Sequence, residues 1–225
     1  MKIFQKRFYI FILLFLPLTQ SMASHKVYFV HGLWGFSAEY IKIRHTLKKE
    51  RFQTEMFSYN SVGKPLTQSA ERLMNKIKND KSDTISIVCH SMGGLVVRSM
   101  LQQAEFIPDF PTIYRIVMIA PPNKGAISAN SLYEKKFYRF IMGVNLKHIC
   151  TFPTSLSQTL PVPKNIEIGI IAGNVKNNYD GEIKVEETKL GVEKDFATVK
   201  SHHIFILQKK ATINYTLNFL KNGKF

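Results

Sequence analysis

The sequence predicts a single α/β domain: a mostly parallel sheet with helices on both faces. Three observations lead there. Short, unbroken apolar runs alternate with segments of helical spacing, the pattern of strands buried on both sides. One of these runs passes directly into a serine-centred turn and then a helix-forming stretch, and an earlier run ends in a glycine-containing loop. The chain has 225 residues, enough for one domain with a full core, and shows no repeat, low-complexity tract or long linker.

Residues 26–30 form a β-branched and aromatic run that reads as the first strand. Residues 37–50 have helical spacing, with Ser37 as N-cap and Tyr40, Ile41, Ile43 and Leu47 near one face. Strand 52–59 follows, then a helix over 66–79 with Ala70, Leu73, Met74 and Ile77 spaced for burial. Strand 84–89 runs into a helix expected from Ser91 onward. Strands are expected at 113–119, 166–172 and 196–199, and a closing helix at 207–220. Residues 123–163 interrupt this rhythm with one helical stretch, 132–142, and prolines near the end. They read as an insertion over the catalytic end of the sheet.

The N-terminus is of another kind. Lys2, Lys6 and Arg7 precede an apolar run over 8–18, and Ser21-Met22-Ala23 offers small residues where a signal peptidase cuts. The apolar run is shorter than the roughly 20 residues that span a bilayer. Residues 1–23 are therefore expected to be a signal peptide and 24–225 the folded domain, exported to the periplasm or cell envelope, or secreted. Formal net charge is +15, and loss of the three N-terminal cations leaves +12. Such a charge favours anionic surfaces, and peripheral association with an anionic membrane is the expected form. With no amphipathic helix of strongly apolar face evident, the attraction is expected to be diffuse. The lysines are dispersed and do not interleave with aromatics, which argues against nucleic-acid binding. Cys89 lies on an expected buried strand, which favours a free thiol over a bond to Cys150.

The chemistry is concentrated in residues 84–98, TISIVCHSMGGLVVR. Strand, His90-Ser91-Met92-Gly93-Gly94 and helix follow without a gap, as a nucleophile elbow requires. Close packing there favours small residues two before and two after the serine. Gly93 meets that demand, whereas Cys89 stands where glycine is usual. Upstream, His31-Gly32-Leu33-Trp34-Gly35 follows the first strand. A loop in that place contributes one oxyanion-hole N–H and the residue after the nucleophile the other, which assigns the backbones of Leu33 and Met92. His31 belongs to this loop and reads as a structural hydrogen-bonding residue. No HExxH or paired ligand spacing occurs, so no metal site is expected.

The stretches VYFVHGLWG, VCHSMGGLVVR, IAPPNKG and DGEIKVEETKL, with the closing FLKNGKF, resemble the bacterial α/β-hydrolase family of small lipases and esterases. Relatives of that family include deacylases acting on lipid anchors. The resemblance implies the α/β-hydrolase fold and carboxylic-ester hydrolysis on an ester or lipid substrate, without metal or organic cofactor. It also implies the order Ser, acid, His. The Asp-Gly pair before a V-E segment points to Asp180 as the acid, with Asp195 and Glu182 as alternatives. Counting back from the C-terminus points to His203 as the base, while the usual Ser-His pairing points to His202. Two other functions keep the same residues or fold: acyl transfer to an alcohol or amine, and a catalytically silent binding protein.

Overall fold

The computed structural model describes residues 24–225; the expected signal peptide, 1–23, lies outside the described residues. Among the described residues no helix is long and apolar enough to cross a membrane. The sheet has six parallel strands in the order β2-β1-β3-β4-β5-β6. In chain order, β1 (His25–Val30) leads through a 3-10 turn (Ser37–Tyr40) to α1 (Ile41–Lys49), β2 (Gln53–Phe57) and α2 (Leu66–Lys78). Then come β3 (Thr84–His90), α3 (Gly93–Ala104) and β4 (Ile113–Ile119).

Alternation along each strand feeds two cores. Tyr28, Val30, Ile85, Ile87 and Cys89 join the cluster that α2 and α3 close with Leu73, Ile77, Leu95 and Val96. Val27, Phe29, Val88 and Val117 face the other way, against Ile43 and Leu47 of α1 and Phe219 of the last helix. Burial on both faces is why the central strands read as largely apolar runs, whereas the edge strand β2 (QTEMF) does not.

The insertion holds four short helices, not one: α4 (Ile127–Glu134), α5 (Lys136–Met142), α6 (Leu146–Ile149) and α7 (Leu156–Thr159). The single helix expected over 132–142 is broken at Lys135, whose backbone is extended at φ −93° and ψ 121°. Ala129 of α4 is buried in the core, while α5 buries no residue. Arg139 Nη1 donates to the Tyr133 carbonyl freed by the break, at 2.9 Å. Buried polar groups tie the insertion down. Arg98 of α3 donates to the carbonyls of Asn123, Leu160 and Pro161, at both ends of the insertion. Asn145 accepts from Leu66 N–H at the start of α2 and donates to the carbonyls of Ser61 and Lys64.

The chain returns through β5 (Glu167–Gly173), α8 (Val185–Thr188) and β6 (Asp195–Val199). A 3-10 stretch (His203–Gln208) precedes α9 (Lys210–Asn222), which therefore starts three residues later than expected. It stops at Gly223, which takes the left-handed conformation at φ 72°. Cys89 and Cys150 are both buried free thiols.

Candidate active site

Loops after β1, β3, β5 and β6 meet at the C-terminal edge of the sheet, where open parallel sheets place their sites. Val30, Cys89 and Met118 lie side by side in the register, so the residues just beyond β1 and β3 are held together.

Ser91 sits at the tip of the elbow with φ 52°, in the left-handed region that a serine enters only under constraint. Its N–H donates to the Ile119 carbonyl at 2.9 Å, fastening the turn to β4. This conformation is not helical, so α3 begins at Gly93 and not at Ser91 as expected. The tightest spot is Gly93, where a Cβ would lie 2.4 Å from the Val30 carbonyl oxygen and 2.7 Å from that of His31. Gly32 is nearly as confined, its notional Cβ lying 2.8 Å from the Ser91 Cβ. The Cys89 side chain instead points into the core beneath the sheet. Steric demand therefore falls on Gly32 and Gly93, which explains why Cys89 is tolerated where glycine is usual.

Among the described residues, no protein group accepts a hydrogen bond from the N–H of Leu33 or of Met92. The next amide in the loop, Trp34, is engaged by Ser61 Oγ at 3.0 Å. His31 braces the loop: its Nδ1 lies 2.9 Å from the Gly32 carbonyl, its Nε2 accepts from Tyr59 N–H at 3.4 Å, and its ring stacks on Tyr59. Burial lowers its pKa despite these hydrogen bonds, so the ring is neutral and Nδ1 is the donor.

Asp180 is buried and its carboxylate is saturated. Oδ1 accepts from the N–H groups of Glu182 and Ile183 at 2.9 and 2.7 Å, and Oδ2 meets His203 Nδ1 at 2.8 Å. The His203 N–H also donates to the Asp180 carbonyl at 3.0 Å. Gly173 permits this approach, since a Cβ there would lie 2.6 Å from the Asp180 Cβ. Among the five candidate acids and bases beyond the serine, the structure brings together Asp180 and His203. His202 is exposed beside Gly181. Asp195 lies at the opposite end of β6 from His203, where it accepts from Phe196 and Phe225 N–H groups. Glu182 is near but on the other side of the imidazole, its Oε2 3.7 Å from His203 Nε2.

His203 Nε2 is buried without a hydrogen-bond partner and faces the same cavity as Ser91. Burial would lower the pKa of the imidazole. The hydrogen bond to Asp180, with the charges of Glu182, Asp180 and Glu39, outweighs burial and holds it above the ordinary value of 6.5.

Two residues of this site escaped the sequence reading. His90 ends β3 and packs its ring 4.8 Å from that of His203, with Nε2 unpartnered. Burial, joined by the charge of His203, holds it well below the ordinary histidine pKa and hence neutral. Its position beside the serine was the available signal. Glu39 lines the cavity and accepts from Phe36 N–H at 3.2 Å, closing the 3-10 turn before α1; only the fold brings it there. The cavity has a volume of about 640 Å³. Its inner wall is apolar, with Leu33, Ala129, Leu132, Leu146, Ile149 and Ile183.

The sheet, its helical layers and the elbow define an α/β-hydrolase-fold protein. The chain belongs to DUF7379, a domain family of unknown function whose profile matches residues 19–176 and so spans Leu33 and Ser91 but ends before Asp180. No curated protein matches the chain in sequence. Solved structures do share its fold. The metagenomic carboxyl esterase MGS0156 is 15% identical with a TM-score of 0.66, over 85% of this chain and 68% of that one. The mature form of the Bacillus licheniformis lipase BlEst2 is 16% identical with a TM-score of 0.67, over 90% of this chain and 93% of that one. The phospholipase PlaB of Legionella pneumophila is 16% identical with a TM-score of 0.60, over 75% of this chain; the match spans only 46% of PlaB. At such identities the likeness is one of fold.

Proposed function

We propose that the chain is a serine hydrolase that cleaves carboxylic esters through an acyl-enzyme on Ser91. One observation carries the reading: a serine held at φ 52° on an elbow opens into the same apolar cavity as a buried His203 whose other nitrogen is fixed by Asp180. His203 Nδ1–H donates to Asp180, which leaves Nε2 as the acceptor. Nε2 takes the Ser91 proton as Oγ attacks the ester carbonyl carbon. The carbonyl π pair moves to oxygen, and the free N–H groups of Leu33 and Met92 stabilise the charge that develops there. Collapse breaks the C–O bond to the alcohol, which leaves with the proton from His203. Water then attacks the acyl-enzyme by the same route and restores Ser91. His203 and Ser91 make no hydrogen bond at rest, and such contacts commonly tighten only with substrate bound.

The low identity to known esterases leaves the reading to be tested on the chain itself. p-Nitrophenyl esters should be turned over, and Ser91→Ala should reduce the rate by roughly 10⁶-fold, as loss of a triad nucleophile does elsewhere. A residual rate within tenfold of the wild type would remove Ser91 from the chemistry. We also propose that the mature protein begins near Ser24 in the cell envelope, which N-terminal sequencing of the envelope protein tests.

A further inference from the structure

We propose that the rim of the active-site cavity is a docking surface for an anionic phospholipid bilayer, with α5 as its principal contact. Three segments surround the mouth, each with an exposed apolar side chain: Trp34 and Phe36 after β1, α5, and Ile204 after β6. Phe140 of α5 is 86% exposed, Phe137 66%, Ile204 67% and Trp34 59%. Helix α5 buries no residue, and its Tyr138 and Met142 turn into the cavity while Phe137 and Phe140 point away from it. Clustered apolar exposure of this kind marks an interaction surface, unlike single exposed residues.

Charge decides the occupant. Lys135, Lys136 and Arg139 flank the two phenylalanines, and among the described residues none of the three pairs with a carboxylate. Aromatic side chains that enter the acyl boundary, with cations beside them at headgroup level, suit an anionic bilayer. A second copy of the chain suits it poorly, because two-fold pairing through α5 would oppose the same cations. The attraction is thus local and partly apolar, in place of the diffuse electrostatic one expected from composition. The docking does not depend on the chemistry at Ser91.

Trp34 is the only tryptophan of the chain and stands on this rim, so it reports docking directly. The experiment uses residues 24–225, which contain the whole sheet and both helical layers, so that the apolar N-terminal run cannot supply the binding. Ser91→Ala in this chain prevents lipid turnover. With vesicles of mixed phosphatidylcholine and phosphatidylglycerol at low salt, the protein should co-sediment. Trp34 emission should shift to the blue and be quenched by brominated acyl chains. Phe137→Ser with Phe140→Ser should weaken partition roughly tenfold or more, given the free energy of burying a phenylalanine, at an unchanged thermal midpoint. Lys135→Gln with Lys136→Gln should weaken binding to the mixed vesicles and reduce its salt dependence. The proposal is overturned if the protein stays in the supernatant, or if it sediments with Trp34 unshifted. It is also overturned if neither double substitution matters, or if α5 instead supports a dimer that both double substitutions dissolve.

Discussion

The two regions that frame the cavity are built by opposite means. Below lies the elbow, where backbone atoms dictate the residues: a Cβ at Gly93 would sit 2.4 Å from the Val30 carbonyl, and one at Gly32 2.8 Å from the Ser91 Cβ. Above lies the insertion, pinned at a few buried polar points, Arg98 and Asn145 among them, and free elsewhere to expose Phe137 and Phe140. The floor can hold one geometry, and the proposed chemistry needs one. The cap can vary its surface without disturbing that geometry, which is where the proposed contact with lipid falls.

The largest expected effect lies in the floor. His203→Ala should lower ester turnover about as far as Ser91→Ala, by roughly 10⁶-fold, because the two act as a unit. His202→Ala should stay within a few-fold of the wild type, since its ring is exposed and Asp180 contacts the other histidine. The reverse order of the two rates would move the base to His202 and separate the Asp180 contact from catalysis.

Stability should divide the regions in the same way. Gly93→Ala pushes a methyl group into two backbone carbonyls that cannot yield, and should destabilise by on the order of 3 kcal/mol. Phe140→Ser removes an almost wholly exposed ring, and should change stability by less than about 0.5 kcal/mol. Denaturant midpoints of the two variants compare them directly. Equal midpoints would erase the distinction between a dictated floor and a permissive cap.

The smallest effect is a pH shift. The proposed mechanism requires neutral His203, so kcat/KM should rise with pH through the histidine pKa, which lies above 6.5. Glu182→Gln removes one of the carboxylates that favour the protonated imidazole, so the acid limb should move to lower pH. The shift should be less than about one pH unit, because Glu182 is more than half exposed and 3.7 Å away in a high dielectric. A limb that moves up, or not at all, would deny Glu182 that influence.

The floor was also the legible part of the sequence. Its central strands β1, β3, β4 and β5 are buried on both faces, so each appears as an apolar run, and the elbow compresses strand, serine and glycine into ten residues. The exact start of α3 was hidden because nothing local announces that Ser91 takes φ 52°. The insertion was much less legible. Between Leu132 and Met142 every residue is compatible with a helix, and nothing local in the sequence announces the extended backbone at Lys135 that separates core-buried α4 from α5. Glu39 and His90 were overlooked for a related reason: one is brought to the cavity by a 3-10 turn far from the serine in sequence, and the other looks like a motif filler until its ring is seen against His203.

The central claim is that Ser91 is a nucleophile activated by His203. A fluorophosphonate probe reacts only with such a serine, and peptide mass spectrometry locates the adduct. The account predicts one adduct, on Ser91, that forms rapidly in the wild type, is absent in Ser91→Ala and is strongly slowed in His203→Ala. An adduct on another serine, or labelling of Ser91 at the same rate without His203, would contradict it.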